Sequence, residues 1–370
     1  MPPIHSAIEA DGLDSGSTTP GHNWVEIRSA GSMGNGLFAT KDIPRGTRII
    51  AERPILKIAQ SSSKGDVGDL PAFCTALQQL PKVEWKHLDQ LYCNTSHITP
   101  TTRAKTRQWY RDQGISDSNG EVLKGKKLQD IAKAATKRFA IFLTNRVQMG
   151  SGGAYGNGVF SLYSRINHSC VPNVHNTYNP NIECLTIHSI RNISASEQIT
   201  ASYISSLCRP RQQRKLEIDI WGFVCSCLAC IDPSIDPLRQ RAFELDQGLA
   251  VFDSPFGRMP GLNELPLVRM LTPRIPTSVI EALQNAEELV NLLKKQGIEG
   301  MELCKTYRDC SKHSLELGDI PRALDYARKE LDIERCIIGT ETAHLRNNMD
   351  GAEYWLAHLG RDVEKETPEK

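Results

Sequence analysis

Nowhere in the 370 residues does an uninterrupted apolar run approach the ~18 residues that a membrane span needs, so no spanning helix is expected. Met1 to His22 holds Ser, Gly, Thr and Pro but no basic segment followed by an apolar core. That excludes a secretory signal there, and the stretch (1–22) reads as a disordered leader. An excess of one charge is also missing: 44 Lys and Arg stand against 43 Asp and Glu, for a net charge of +1. A chain whose main business is to coat nucleic acid or an anionic membrane carries a large basic excess, so neither is an expected partner. No run of five or more basic residues marks nuclear import.

What is present is the composition of a soluble globular protein, 39% hydrophobic and 24% charged. The length suits two or three domains at about 150 residues each. Eleven cysteines are an odd number, in a chain long enough to build a core without cross-links. They point to a reducing compartment, nucleus or cytoplasm, where thiols are free to bind metal. Charge is unevenly spread. Residues 1–240 hold 27 Lys/Arg and 20 Asp/Glu, and residues 241–370 hold 17 and 23. Two modules would give this split, and so would one solvated surface that varies along the chain. The densest basic stretch, 11 Lys/Arg in residues 101–150 with Lys124, Lys126 and Lys127 beside a turn, reads as helix surface.

Periodicity divides the chain. Trp24–Ile58 is β-rich, with Val25, Ile27, Leu37, Phe38, Ile49 and Ile50 between turn residues. A polar loop follows. From Pro71 to about Thr144 the spacing is helical, carried by Leu77, Leu80, Leu88 and Leu91, then by Ile131, Ala134, Ala135, Phe139, Phe142 and Leu143. Short strands return from Val159 to Tyr203, and after Pro237 the signal is nearly all helix. Leu317-Gly318-Asp319 has an echo at Leu359-Gly360-Arg361, with Ala323, Tyr326, Ala327 and Leu331 at helical spacing between them and a stop at Gly339. Tetratricopeptide-like hairpins or a plain helical bundle fit this pattern alike.

Four short segments carry chemistry. Gly34-Asn35-Gly36-Leu37-Phe38-Ala39 allows close backbone approach to a ligand, or a tight hairpin, and lacks the third glycine of a dinucleotide fingerprint. Arg165-Ile166-Asn167-His168-Ser169-Cys170-Val171-Pro172-Asn173 is dense in donors, acceptors and a soft ligand. Ile199 to Ile204 reads as a strand that ends in Tyr203. In Trp221-Gly222-Phe223-Val224-Cys225-Ser226-Cys227-Leu228-Ala229-Cys230, three thiols share one loop. Tetrahedral zinc needs four ligands, and Cys170 is the best candidate for the fourth. Three unconnected buried thiols are the alternative.

In this order the four segments resemble the SET-domain lysine methyltransferases. The resemblance is nearest to the SET/MYND (SMYD-like) branch and its fungal relatives, which carry a helical C-terminal domain. It implies an α+β fold: a β-rich SET domain over 23–232, with a helical insert at about 59–144 and a post-SET zinc loop at about 221–232. An all-α, tetratricopeptide-like domain over 237–370 would follow. The insert holds only Cys74, Cys93, His87 and His97, too few and too widely spaced for the two-zinc MYND finger, so that finger is expected to be absent. Ser194-Ala195-Ser196-Glu197 also departs from the family, which usually has a glycine before the acid.

The resemblance implies S-adenosylmethionine as cofactor, held by Gly34, Asn35, Gly36, Asn145, Asn167 and His168, with Phe223 stacked on the adenine. It implies Tyr203 as the catalytic residue and Trp221 as a wall of the lysine channel. One structural zinc would sit on Cys170, Cys225, Cys227 and Cys230. The substrate would be lysine in a histone or another protein, and further proteins would meet the helical domain. A non-catalytic SET protein acting as a helical-repeat adaptor is the competing expectation.

Overall fold

The computed structural model describes residues 24–59, 67–116, 121–259, 262, 275–340 and 351–366. The leader assigned to 1–22 lies outside them. Among the described residues, no helix is long and apolar enough to cross a membrane.

The β-rich part is four small sheets. Strands β1 (Val25–Ser29) and β2 (Asn35–Ala39) form a hairpin, with Val25 opposite Ala39 and Ser29 opposite Asn35. Strand β3 (Arg48–Glu52) pairs antiparallel with β9 (Cys184–Ser189), which pairs with β8 (Val174–Asn179). Strands β4 (Leu56–Ile58) and β5 (Val147–Gln148) flank β6 (Asn157–Val159). The fourth sheet is a parallel pair, β7 (Asn167–His168) and β10 (Thr200–Ala201). Leu37, Ile43, Ile50, Phe160, Ile166, Ile187 and Ile199 fill the space between these sheets. The last strand is shorter than the sequence suggests. It stops at Ala201, so Tyr203 sits two residues beyond it, outside the strand.

The insert is helical, with helices at Leu70–Gln79, Lys82–Asp89, Pro100–Asp112 and Gly125–Asn145. Its core is Phe73, Leu77, Leu88, Phe139 and Phe142, with Phe73 5.1 Å from Phe139 and 5.3 Å from Phe142 between ring centroids. The long helix buries Leu128, Ala132, Ala135, Phe139 and Phe142, and leaves Ile131 and Ala134 exposed. Ile131 is apolar but lies off the stripe that the i, i+3, i+4 geometry turns inward.

In the C-terminal part, helices run at Ile235–Phe252, Val279–Lys295, Met301–Glu316, Ile320–Ile338 and Ala352–Glu366. The first begins before Pro237, which falls in the first turn where a missing N–H costs nothing. Ser278 and Asp319 cap the helices that follow them. Leu317-Gly318-Asp319 is a turn between helices, whereas Leu359-Gly360 lies inside the last helix, where Leu359 packs on Ala323 and Ala327. The two triplets are therefore not equivalent positions of a repeat. These helices also share one core with the segments that carry the cysteines: Cys170, Leu207, Ile218 and Cys230 pack in the same cluster as Leu245, Leu289 and Ile337.

Two local features carry predictions. Ser196 holds φ 66°, in the left-handed region where glycine is at ease. Ser196→Gly is expected to raise stability by about 1 kcal/mol in denaturant titration, since a side chain there costs roughly 1–2 kcal/mol. A destabilised variant would show that the serine is held for another reason.

His188 and His175 face each other across β8 and β9. Burial pushes both from 6.5 to about 4. They are neutral in the fold, while the unfolded chain takes up protons below about pH 6.5. Their contribution is therefore complete above that pH and is lost as pH falls toward 4, by up to ~1.4 kcal/mol per unit for each histidine. His188→Gln is expected to flatten the stability–pH curve over that window. An unchanged slope would remove His188 from the account.

Candidate active site and metal centre

The parallel pair β7–β10 brings the Asn167 and Tyr203 segments side by side, with Thr200 opposite Asn167 and Ala201 opposite His168. Asn173, 1% exposed, fastens them. Its Oδ1 accepts from Thr200 N at 2.8 Å, and its Nδ2 donates to Gln198 O at 2.8 Å and to Glu197 Oε1 at 3.0 Å. Glu52 holds the neighbouring turn by accepting from the backbone N–H groups of Leu162 and Tyr163.

Tyr203 lies at the centre of an aromatic group. Its ring centroid is 5.2 Å from Trp221, 5.3 Å from His168 and 6.4 Å, edge-on, from Phe223. Its hydroxyl donates to Ile166 O at 2.5 Å. Burial pushes its pKa well above the usual phenol range, so the hydroxyl stays protonated at neutral pH. Its backbone N–H donates to His168 Nδ1 at 3.0 Å. Nδ1 must then be unprotonated and Nε2 carries the hydrogen, which points at Cys170 Sγ 3.3 Å away. His168 is held neutral, with burial lowering its pKa to about 4. Both ring nitrogens are engaged inside the protein, which leaves the backbone and ring face of His168 for any ligand.

On the opposite wall, Asn167 Nδ2 donates to Asn35 O at 3.3 Å. Gly34 and Asn35 are exposed, and Gly36 is buried. A Cβ on Gly36 would come within 2.6 Å of Gln198 Nε2 and 3.0 Å of Asn167 Nδ2, so a larger residue there would displace the ends of these two side chains. Gln198 Nε2 is itself buried without a partner, a donor left free at this cradle. Asn145 is placed differently. Its carboxamide donates to Tyr92 O at 2.7 Å and Ile141 O at 2.8 Å, and no hydrogen bond among the described residues joins it to the Asn167–Tyr203 group.

Beyond Phe223 the four thiols meet. The sulfurs of Cys170, Cys225, Cys227 and Cys230 all lie within 4.8 Å of one another, and Cys170 Sγ is 3.6 Å from Cys230 Sγ. Zn–S bonds of about 2.3 Å in a tetrahedron require sulfurs about 3.8 Å apart, so the donor set fits zinc. Cys170 N donates to Cys227 Sγ at 3.4 Å. A zinc held by all four thiolates would have no open position, the arrangement of a structural centre.

Against known proteins, residues 34–204 match the model of the SET domain. These residues form a SET domain. The chain is 26% identical to "Histone-lysine N-methyltransferase set5" of Schizosaccharomyces pombe over 325 residues, 87% of this chain and 79% of that one. It is 34% identical over 85 residues to "Protein-lysine N-trimethyltransferase SMYD5" of Homo sapiens, 22% of this chain and 20% of the relative. A "Histone-lysine N-methyltransferase SET5" of Meyerozyma guilliermondii is 34% identical over 87 residues, 23% of this chain and 18% of that one. The last two matches thus span about a fifth of those relatives.

The SET domain also uses residues that the sequence reading passed over. Tyr163 donates from its hydroxyl to Asn176 Oδ1 at 3.1 Å, and the charge that Tyr203 would carry as a phenolate helps burial raise the Tyr163 pKa. Asn94 links the insert to the segment before Trp221: its backbone N donates to Thr144 Oγ1 at 3.1 Å and its side chain to Ile220 O at 2.8 Å. No spacing rule points to either residue, because each acts across the fold rather than along the chain.

Proposed function

We propose that this SET domain transfers methyl groups from S-adenosylmethionine to lysine side chains of a protein substrate, a histone or another protein. The observation that carries the reading is that Tyr203, Trp221 and Phe223 pack together while the Thr200–Asn167 strand pairing joins their segment to Asn167 and the Gly36 turn. S-adenosylmethionine, when bound, supplies an electrophilic methyl on a sulfonium. Gly34, Asn35, Gly36, Asn167 and the backbone at His168 would hold it, with Phe223 against its adenine. Asn145 would contribute through the packing of the Tyr92 segment.

Most of the rate in such a transfer comes from alignment of amine, methyl and sulfur. Tyr203 suits that task. Its proton is committed to Ile166 O, so its oxygen presents lone pairs that can orient the acceptor amine. It does not serve as the base, since burial keeps it a phenol. Lysine, with an ordinary pKa near 10.4, must shed its proton before attack. Trp221, at the mouth beside Tyr203, would wall the aliphatic stem and keep the amine desolvated, which favours the neutral form. Zinc on the four cysteines would pin the Phe223 segment over the cofactor.

The reaction belongs in the nucleus or cytoplasm, a placement supported by eleven cysteines of which none is joined in a disulfide. The helical part, read as tetratricopeptide-like, would offer a surface to other proteins, and neither nucleic acid nor membrane is a proposed partner. Calorimetric titration with S-adenosylmethionine and transfer of labelled methyl to histones or a cell extract test the reading. Binding with transfer to protein lysine is expected. No binding would favour the adaptor.

A further inference from the structure

Two guanidinium groups are sealed inside the protein beside the four sulfurs. Arg214, on Arg211–Ile218, and Arg239, on Ile235–Phe252, are each 0% exposed. Arg214 donates from Nη1 to Arg209 O at 2.6 Å and from Nη2 to Ala229 O at 2.8 Å, and Nη2 also reaches Cys230 Sγ at 3.7 Å. Arg239 donates from Nη2 to Cys170 O at 2.9 Å and from Nη1 to Leu207 O. Their hydrogen bonds among the described residues go to carbonyls and, from Arg214, to the sulfurs of Cys230 and Cys170; no carboxylate forms an ion pair with either, Glu302 acting on Arg239 only at longer range, and the Nε of each is buried without a partner.

Arginine stays charged in proteins. A buried ion without a counter-ion costs far more than carbonyl hydrogen bonds return. Two like charges at 0% exposure therefore need a double negative charge close by. A divalent cation with four thiolates carries that charge. A monovalent or trivalent cation on the same ligands would leave a mismatch.

We propose that Arg214 and Arg239 are the counter-charge of the cysteine centre. Two guanidiniums, four thiolates and one divalent cation form a neutral buried unit, in which the arginines act as positioning residues for the metal. Each also ties a ligand to a different part of the fold. Arg239 joins the Cys170 backbone to the first C-terminal helix, and Arg214 joins the Cys230 turn to the helix after Pro210. The proposal rests on the metal reading above and extends it to residues outside the ligand set.

The test is the rate at which the full-length protein gives up zinc to a chromophoric chelator. Arg214→Met and Arg239→Met are expected to release zinc on the order of 10–100-fold faster, the usual cost of losing an outer-shell partner. Arg214→Lys and Arg239→Lys keep the charge and lose the forked geometry, so they should stay near the native rate. If the Lys and Met variants are equally impaired, hydrogen bonding and not charge is the role, and the proposal fails.

A second background guards against misfolding. Cys225→His keeps four ligands but removes one negative charge. There Arg214→Met restores the balance, and its penalty should largely vanish, including any failure to fold. The same penalty in both backgrounds overturns the proposal. Absence of metal from the unaltered protein overturns the metal assignment itself, and this inference with it.

Discussion

Replacing Cys227 with serine is expected to abolish metal binding and unfold the region where the SET domain meets the helices. Metal analysis should give about one zinc per unaltered chain and none for the variant. Structural zinc contributes roughly 10–16 kcal/mol to the folds that depend on it, comparable to or above the ~5–15 kcal/mol net stability of a domain. The effect should not stay local. Cys170 and Cys230 pack in one cluster with Leu207, Leu245, Leu249 and Ile337, so the metal centre and the C-terminal helices lose order together. A single early transition that removes both post-SET and helical signals in thermal unfolding would carry this result. Full metal occupancy in Cys227→Ser would count decisively against the assignment of the ligands. Stripping zinc from the unaltered protein with a chelator should reproduce the same unfolding, because two buried arginines are then left beside neutral thiols.

Tyr203→Phe is expected to lower kcat for methyl transfer by about 10²–10³-fold, the usual cost of removing one preorganised hydrogen-bonding group from a reacting centre. The substitution deletes one oxygen and spares the ring. The contacts to Trp221, His168 and Phe223 are ring contacts and survive. The backbone N–H that fixes the His168 tautomer is untouched. Calorimetric affinity for S-adenosylmethionine should therefore stay within a few-fold, which separates a chemical role from a structural one. Transfer at the native rate would strip Tyr203 of its role while leaving the cofactor assignment standing. The Ile166 carbonyl, released from its hydrogen bond in the variant, adds a small penalty in stability.

Much of the site was legible before the fold was known, because its chemistry is written in short runs. Three cysteines in CxCxxC spacing put three thiols on one loop whatever surrounds them. The Asn167-His168-Ser169-Cys170 run concentrates unlike polar groups where an ordinary loop would not. Cys170 belongs to a motif far from the other three cysteines, and only the fold brings its sulfur to 3.6 Å from Cys230 Sγ. Less legible were residues whose work depends on neighbours brought in from elsewhere. Arg214 and Arg239 look like surface charges in the sequence, and both are buried. Ile131 looks like core, and it is exposed. Ser196 stands where the resembled family usually has a glycine, and only the fold shows that its backbone occupies the region that favours glycine.

By itself the chain of residues determined the class of fold, the positions of its turns and the kinds of chemistry available, since these follow from spacing, side-chain type and backbone freedom within a few residues. The tertiary structure alone decided which segments meet. The parallel pairing of Thr200 with Asn167 puts Tyr203 over His168 and settles the tautomer of that ring. It likewise turned Asn145 toward the Tyr92 carbonyl and drew two arginines in beside the sulfurs. Long-range proximity arises from packing summed over the whole core, and no local stretch of sequence contains that sum.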